Sequence, residues 1–111
     1  MSHITIDDFT KVDIRVGTIT RVEPFEKAHK PAYIIHVDLG DIGVKKSSAQ
    51  LTGKYSPKDL EGKQVICVVN FPEKQIGPIK SQVLITGFTD ENGDIVIATT
   101  ESSVPNGSKL H

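Results

Sequence analysis

The chain has 111 residues, which suits one domain of the typical size of about 100–150 residues. With 37% apolar and 24% charged residues it has the composition of a soluble globular protein, neither disordered nor membranous. Its net charge of −1 argues against bulk electrostatic affinity for nucleic acid, and no apolar run approaches the roughly 20 residues that span a bilayer.

Thr5 or Asp7 can cap a short helical turn over Ile6–Val12. Ile14, Val16, Thr18, Thr20 and Val22 then alternate with Arg15, Gly17, Ile19 and Arg21, the period-two pattern of a half-buried strand that Pro24 ends. Tyr33, Ile35, Val37 and Leu39 repeat the pattern, and Gly40-Asp41 turns the chain into a third strand, Val44–Leu51. The turn-rich stretch TGKYSPKDLEGK has room for a short helix at Pro57–Leu60. A central strand over 64–71, a connector and a strand over 82–87 follow. Asn92-Gly93 marks a tight hairpin into Ile95–Thr99, and the tail carries Val104-Pro105-Asn106-Gly107 and Leu110. No repeat, linker or low-complexity tract divides residues 1–111, so one domain is expected.

Five or six short strands with a longer interruption after the third predict an all-β protein. The order matches an OB-fold, a five-stranded barrel, here with short flanking helical turns and terminal extensions. An immunoglobulin-like sandwich is the competitor. It is disfavoured because the chain has no tryptophan and only one cysteine, whereas that fold's best-known members carry a buried tryptophan and a cysteine pair.

The stretch Lys63–Gly87 carries the strongest functional signal. Two apolar runs, Val65–Phe71 and Val83–Ile85, bracket a connector with Lys74 and Lys80, interrupted by Ile76 and Ile79 and stiffened by Pro72 and Pro78. A buried strand that ends in a rigid, cationic, partly apolar loop is how a small barrel presents a binding surface. Charge is concentrated there as well. Residues 42–82 hold seven lysines against Asp59, Glu61 and Glu73, while both flanking thirds are net acidic. A locally basic middle is the minimum footprint of a phosphate-binding face.

Catalytic signals are poor. None of His3, His29, His36 and His111 stands at metal-ligand spacing to another or to Cys67. There is no Gly-x-Ser-x-Gly elbow, and neither Gly53-Lys54 nor Gly62-Lys63 has the earlier glycine of a P-loop. Asp7-Asp8 sit at a helix start, where carboxylates complement the dipole. The expectation is therefore no enzyme, no metal and no cofactor. The acidic N-terminus lacks the basic and apolar regions of a signal peptide. A single cysteine within a strand-like run reads as a buried thiol in a reducing compartment. Cytoplasmic residence without membrane insertion follows as an expectation.

Several separate motifs carry a family resemblance. Asp13-Ile14-Arg15-Val16-Gly17-Thr18-Ile19, Val37-Asp38-Leu39-Gly40, Ser47-Ser48-Ala49-Gln50-Leu51, Val69-Asn70-Phe71, Lys80-Ser81-Gln82-Val83-Leu84 and Val104-Pro105-Asn106-Gly107 occur in order over nearly the whole chain. Together they resemble the tRNA-binding domain family. Lys45-Lys46-Ser47-Ser48-Ala49-Gln50 and Asn70-Phe71-Pro72 are closest to its CsaA-type export chaperones. The resemblance implies a homodimer that binds unfolded or precursor polypeptides for protein export. The alternative it implies is a structure-specific tRNA-binding protein without catalytic activity. It also brings the protein-export machinery into the set of partners.

Carried over residue by residue, the nucleic-acid contacts would be Lys46, Ser48, Asn70, Lys74, Lys80, Ser81 and Gln82. The peptide contacts would be Phe71, Ile76 and Ile79. Asn70 can serve a ligand or pin the loop backbone, since its amide both donates and accepts. Ser48 and Gln50 should share one face of their strand, with Ser47 on the other. The run Lys74-Gln75-Ile76-Gly77-Pro78-Ile79 is less basic than the family pattern, which implies fewer released counterions and weaker RNA binding.

Overall fold

The two short helices form where side chains can satisfy their first N–H groups. In the computed structural model, which describes residues 1–28 and 30–111, α1 spans Ile6–Thr10. Its cap is Thr5 rather than Asp7: the Thr5 hydroxyl accepts the Asp8 N–H at 3.1 Å and the Asp8 carboxylate accepts the Thr5 N–H at 3.1 Å. Ser56 and Asp59 repeat this reciprocal box at α2 (Pro57–Leu60), where Pro57 supplies a preset φ at the first helical position. His29, one of the four histidines weighed above, lies outside the described residues.

Strands follow the alternation. β1 (Ile14–Pro24), β2 (Tyr33–Asp38), β3 (Val44–Ala49) and β4 (Gln64–Val68) form the wall of the barrel, with a 3₁₀ turn at Gly40–Ile42 between β2 and β3. Then come β5 (Lys74–Ile76), β6 (Ile79–Ser81), β7 (Leu84–Ile85), β8 (Gly87–Thr89) and β9 (Ile95–Ile97). The main sheet has the order β3-β2-β1-β4-β7, antiparallel throughout, while β5-β6 and β8-β9 are separate hairpins. The sheet curls into a nearly closed barrel, the all-β OB-type architecture expected. A register shift between Ile19 and Arg21 inserts one residue into β1, so that Ile19 and Val22 both point inward.

Ile19, Ile35, Val37, Leu39, Val65 and Cys67 are fully buried in the barrel, and α2 contributes Leu60 to the same core. The C-terminal segment is tied along β1: Gly107 N–H donates to Val16 C=O and Leu110 N–H to Ile14 C=O, each at 2.8 Å. Asn106 Oδ1 anchors it by accepting from the Thr18 hydroxyl at 2.7 Å and from Gln64 Nε2 at 3.2 Å.

Three elements differ from the sequence expectation. The central strand leaves its ladder at Val68 rather than at residue 71, because Asn70 turns its amide to the N-terminal segment and Pro72 has no N–H to give. The connector is itself the β5-β6 hairpin, whose turn is held by Gln75 Nε2 donating to Gly77 C=O at 2.7 Å and Ile79 C=O at 3.0 Å. The strand expected over 82–87 divides at Thr86, since Leu84–Ile85 pair with β4 and Gly87–Thr89 pair with β9.

Candidate functional site

Three segments converge on one open groove of about 390 Å³. β3 brings Ser47 and Ser48, β5 brings Lys74 and Ile76, and the chain around β7 brings Ser81, Gln82, Val83 and Leu84, with Phe71 and Pro72 at the mouth. The β5-β6 hairpin places these groups by strand parity. Lys74 is paired with Ser81 and Ile76 with Ile79, so this face turns to the barrel, whereas Gln75 and Lys80 share the opposite face. Of the two lysines predicted to act together, Lys74 lines the groove and Lys80 points away from it.

Ser81 and Gln82 hold the hairpin to the edge of β3. Gln82 N–H donates to Lys46 C=O at 2.8 Å, and its side-chain Oε1 accepts the Lys46 N–H at 3.0 Å. Ser81 Oγ accepts the Ser48 N–H at 3.1 Å, and Gln82 Nε2 donates to Glu73 at 2.8 Å across the base of the hairpin. These polar side chains therefore build the groove wall. An unpaired strand edge is costly to bury and prone to mispairing, and this arrangement covers part of it.

Asn70 is also engaged within the chain. Its Nδ2 donates to Lys11 C=O at 2.7 Å and its Oδ1 accepts the Asp13 N–H at 2.9 Å, which fixes the exit of α1 on the barrel. Lys46 sits outside the groove, opposite His36 in the β2-β3 ladder, where His36 Nε2 lies 3.0 Å from Glu23. Ile79 is half-buried and does not line the groove. The groove thus brings together Ser48, Phe71, Lys74, Ile76, Ser81 and Gln82 from the expected set.

Four lining residues escaped the sequence reading: Ser47, Pro72, Val83 and Leu84. Leu84 carried a usable signal. Three successive apolar residues on a strand, Val83-Leu84-Ile85, must send the middle one to the face opposite the other two. Val83 is buried, and Leu84 is 49% exposed beside Phe71 at 56%. Large apolar side chains this open, at the rim of a concavity, mark a surface built to be covered.

The electrostatics favour binding over chemistry. Lys74 makes no ion pair among the described residues, and no acidic side chain lines the groove with it. Burial pushes the Cys67 thiol up to about 12, so it stays protonated and non-nucleophilic. Among the described residues no group of His, Cys, Asp or Glu could hold a metal ion. Among the described residues no helix is long and apolar enough to cross a membrane.

Residues 14–109 match a family model described as "Putative tRNA binding domain". The chain is 39% identical over 111 residues to methionine–tRNA ligase 1 of Bacillus anthracis, which covers 97% of this chain. It spans only 16% of that ligase's length. The crystal structure of the chaperone CsaA from Bacillus anthracis superposes with a TM-score of 0.92 at 42% identity, covering 99% of this chain and all of that one. The CsaA chaperone protein of Picrophilus torridus gives 0.91 at 44% identity, over 98% of this chain and 100% of that chain.

Proposed function

This chain belongs to the tRNA-binding domain family, and from that premise we propose that it is a CsaA-type chaperone, a cytoplasmic homodimer that holds unfolded or precursor polypeptides for export. The groove carries the reading: Phe71 and Leu84 stand open beside Ile76, so a polypeptide with exposed apolar side chains gains burial that a folded surface cannot offer. Burying one such side chain contributes about 1.5–3 kcal/mol. Likeness to solved CsaA chaperones over the whole chain supports the same reading. The function needs no catalysis, only reversible contact.

Self-association has its own support. α1 buries none of its residues, leaving Ile4 and Ile6 largely exposed, and Leu110 is open at the other end of the chain. Val16, Ile66, Val104 and Leu110 line a second groove where the C-terminal segment crosses the barrel. A second copy would cover these surfaces. Sedimentation equilibrium at micromolar concentration should give twice 12.1 kDa, and a single species at 12.1 kDa removes the dimer from the proposal.

A second reading, tRNA binding, is favoured by the family match and by the ligase relatives. Lys74, Lys80 and Lys46 are its cations. Affinities for tRNA and for an unfolded precursor, measured side by side at physiological salt, decide between the two. Precursor binding in the micromolar range or tighter supports the chaperone; tRNA binding without it transfers the function to RNA.

A further inference from the structure

We propose that the 390 Å³ groove is a receptor for a tyrosine side chain of the held polypeptide, its ring between the apolar walls, its phenolic O–H on the Ser47 hydroxyl and a neighbouring carboxylate of the same segment on Lys74. Ser47 is the residue that leads there. It pairs with the fully buried Ile35 in the β2-β3 ladder and so points into the barrel, where it is 2% exposed. Among the described residues it is the only buried polar one. The side-chain bonds along this edge go to its neighbours: Gln82 Oε1 accepts the Lys46 N–H and Ser81 Oγ accepts the Ser48 N–H. The Ser47 hydroxyl itself has no partner among the described residues.

A hydroxyl taken out of water without a partner costs free energy, so buried ones are almost always bonded. Among the described residues no fully enclosed side-chain nitrogen or oxygen lacks a partner. The unbonded Ser47 Oγ is therefore not enclosed, and the groove that Ser47 lines is its opening. Ser47 and Val83, both buried, make the floor, while Phe71 and Leu84 stand open at the mouth with Lys74. The groove thus runs from a cation and exposed apolar side chains at its rim to one hydrogen-bonding group at its base.

Resting on the polypeptide-holding reading, this order of groups selects the occupant. It asks for an apolar body with a polar tip, and for negative charge at the mouth. Tyrosine joins a large flat apolar body to an O–H at its far end, which can donate to or accept from a serine hydroxyl. Phenylalanine fills the same space and leaves Ser47 without a bond. Serine and threonine are too short to reach the floor, and lysine and arginine are repelled by Lys74 at the rim. The volume lies at the small end of the range for ligand pockets, about 300–1,000 Å³, which suits one aromatic side chain. The carboxylate follows from charge complementarity: no acidic residue lines the groove with Lys74, and Glu73 is held by Gln82 Nε2 at 2.8 Å. A folded domain packs its tyrosine rings and gives each buried O–H a partner, so an unpartnered tyrosine marks an unfolded chain.

The test uses the full chain, a capped octapeptide of glycine and serine with an aspartate beside one tyrosine, and a twin with phenylalanine in the tyrosine's place, titrated by NMR. The parent protein should bind the tyrosine peptide about tenfold more tightly, because phenylalanine leaves the Ser47 hydroxyl covered and unbonded. Ser47→Ala should erase that preference and leave the phenylalanine affinity at the parent's value or tighter. Nuclear Overhauser contacts from the tyrosine ring to the methyl groups of Ile76 and Val83 in the parent protein test the placement even where the variant fails to fold. Equal affinity for the twins, a preference that survives Ser47→Ala, or the absence of those ring contacts overturns the tyrosine receptor while the holding function stands. Failure of both twins to bind while an unfolded precursor is still held does the same. Saturation of the groove by adenosine monophosphate, with no preference between the twins, overturns it in favour of a nucleotide. Failure of the twins and of the unfolded precursor alike overturns the holding function and the receptor together.

Discussion

Gln82 grips Lys46 at both ends of one peptide unit's reach: its backbone N–H donates to the Lys46 carbonyl at 2.8 Å and its side-chain oxygen accepts the Lys46 N–H at 3.0 Å. The side-chain amide oxygen thus takes the place that Gln82's own carbonyl would hold in a hydrogen-bonded antiparallel pair. Only glutamine reaches this far while its Nε2 also holds Glu73. Replacing Gln82 with alanine should leave the Lys46 N–H unpaired and release the base of the hairpin. The expected loss is about 1–3 kcal/mol, read as a lower urea midpoint with an unchanged m-value. A midpoint equal to the parent's would show that the backbone bond alone closes this edge.

Asn70 predicts a different kind of loss. Its two bonds reach residues 57 and 59 positions away, so Asn70→Ala should free the segment 1–13 while the barrel stays folded. Limited proteolysis should cut before Ile14 at least tenfold faster, with global stability lowered by about 1–2 kcal/mol. If α1 contributes to self-association, the same variant should also weaken the dimer in sedimentation. Unchanged cleavage would mean that the capping box and other contacts hold the segment unaided.

The barrel was legible from the sequence because its strands are half-buried and alternate, and because the fourth strand is a continuous apolar run. What parity could not show was where strands stop. Val69, Asn70 and Phe71 extend an apolar strand pattern, yet β4 ends at Val68 and the last backbone bond is from the Val69 N–H to the Asp13 C=O at 2.9 Å, because Asn70 turns to bonds with Lys11 and Asp13, far away in sequence. The β5-β6 hairpin was hidden for a similar reason, since Gly77, at φ 55°, supplies the turn between two prolines that suggested only a rigid loop. A glycine inside a strand commonly marks a bulge or bend. The bulge lies further along β1, and Gly17 is there because a Cβ would stand 2.5 Å from Val37 Cγ1 and 2.8 Å from the Asp38 carbonyl. The lysines illustrate the remaining limit: sequence showed a basic segment, and only the hairpin's parity separated Lys74 from Lys80.

Two carboxylates set the acid behaviour. The hydrogen bond from Lys54 Nζ, at 2.9 Å, is the main reason that Asp90 lies below the usual carboxylate range, followed by the Asp94 N–H. Asp59 is lowered first by the Ser56 backbone N–H and then by the Ser56 hydroxyl. A carboxylate whose folded value is depressed stabilises the fold above its unfolded value, about 3.9, and loses that contribution as pH falls through the folded value. The contribution of these two groups should therefore be flat from about pH 7 to pH 5 and decline below about pH 4. Lys54→Met should move the Asp90 titration upward in carbon-detected NMR and leave Asp59 unmoved. An unchanged Asp90 would assign its shift to the turn backbone.

The two lysines of the hairpin give the sharpest separation of ligands. Lys74 lines the groove beside Phe71, and Lys80 lies on the opposite face with Gln75. Lys74→Gln should weaken binding of an acidic unfolded polypeptide several-fold, and Lys80→Gln should leave it unchanged. Both residues are exposed, so neither substitution should alter the fold. If tRNA tracks the outer face, Lys80→Gln should lower the salt slope of RNA binding by about one unit, the loss of one phosphate contact. Apolar contact is tested independently by Phe71→Ser with Leu84→Ser, two side chains open enough to lose without opening the core. Loss of about 1.5–3 kcal/mol of burial corresponds to roughly a tenfold to hundredfold drop in polypeptide affinity. A double variant that holds the unfolded precursor as tightly as the parent would move polypeptide binding off this groove, while its tRNA affinity should stay at the parent's value in either case.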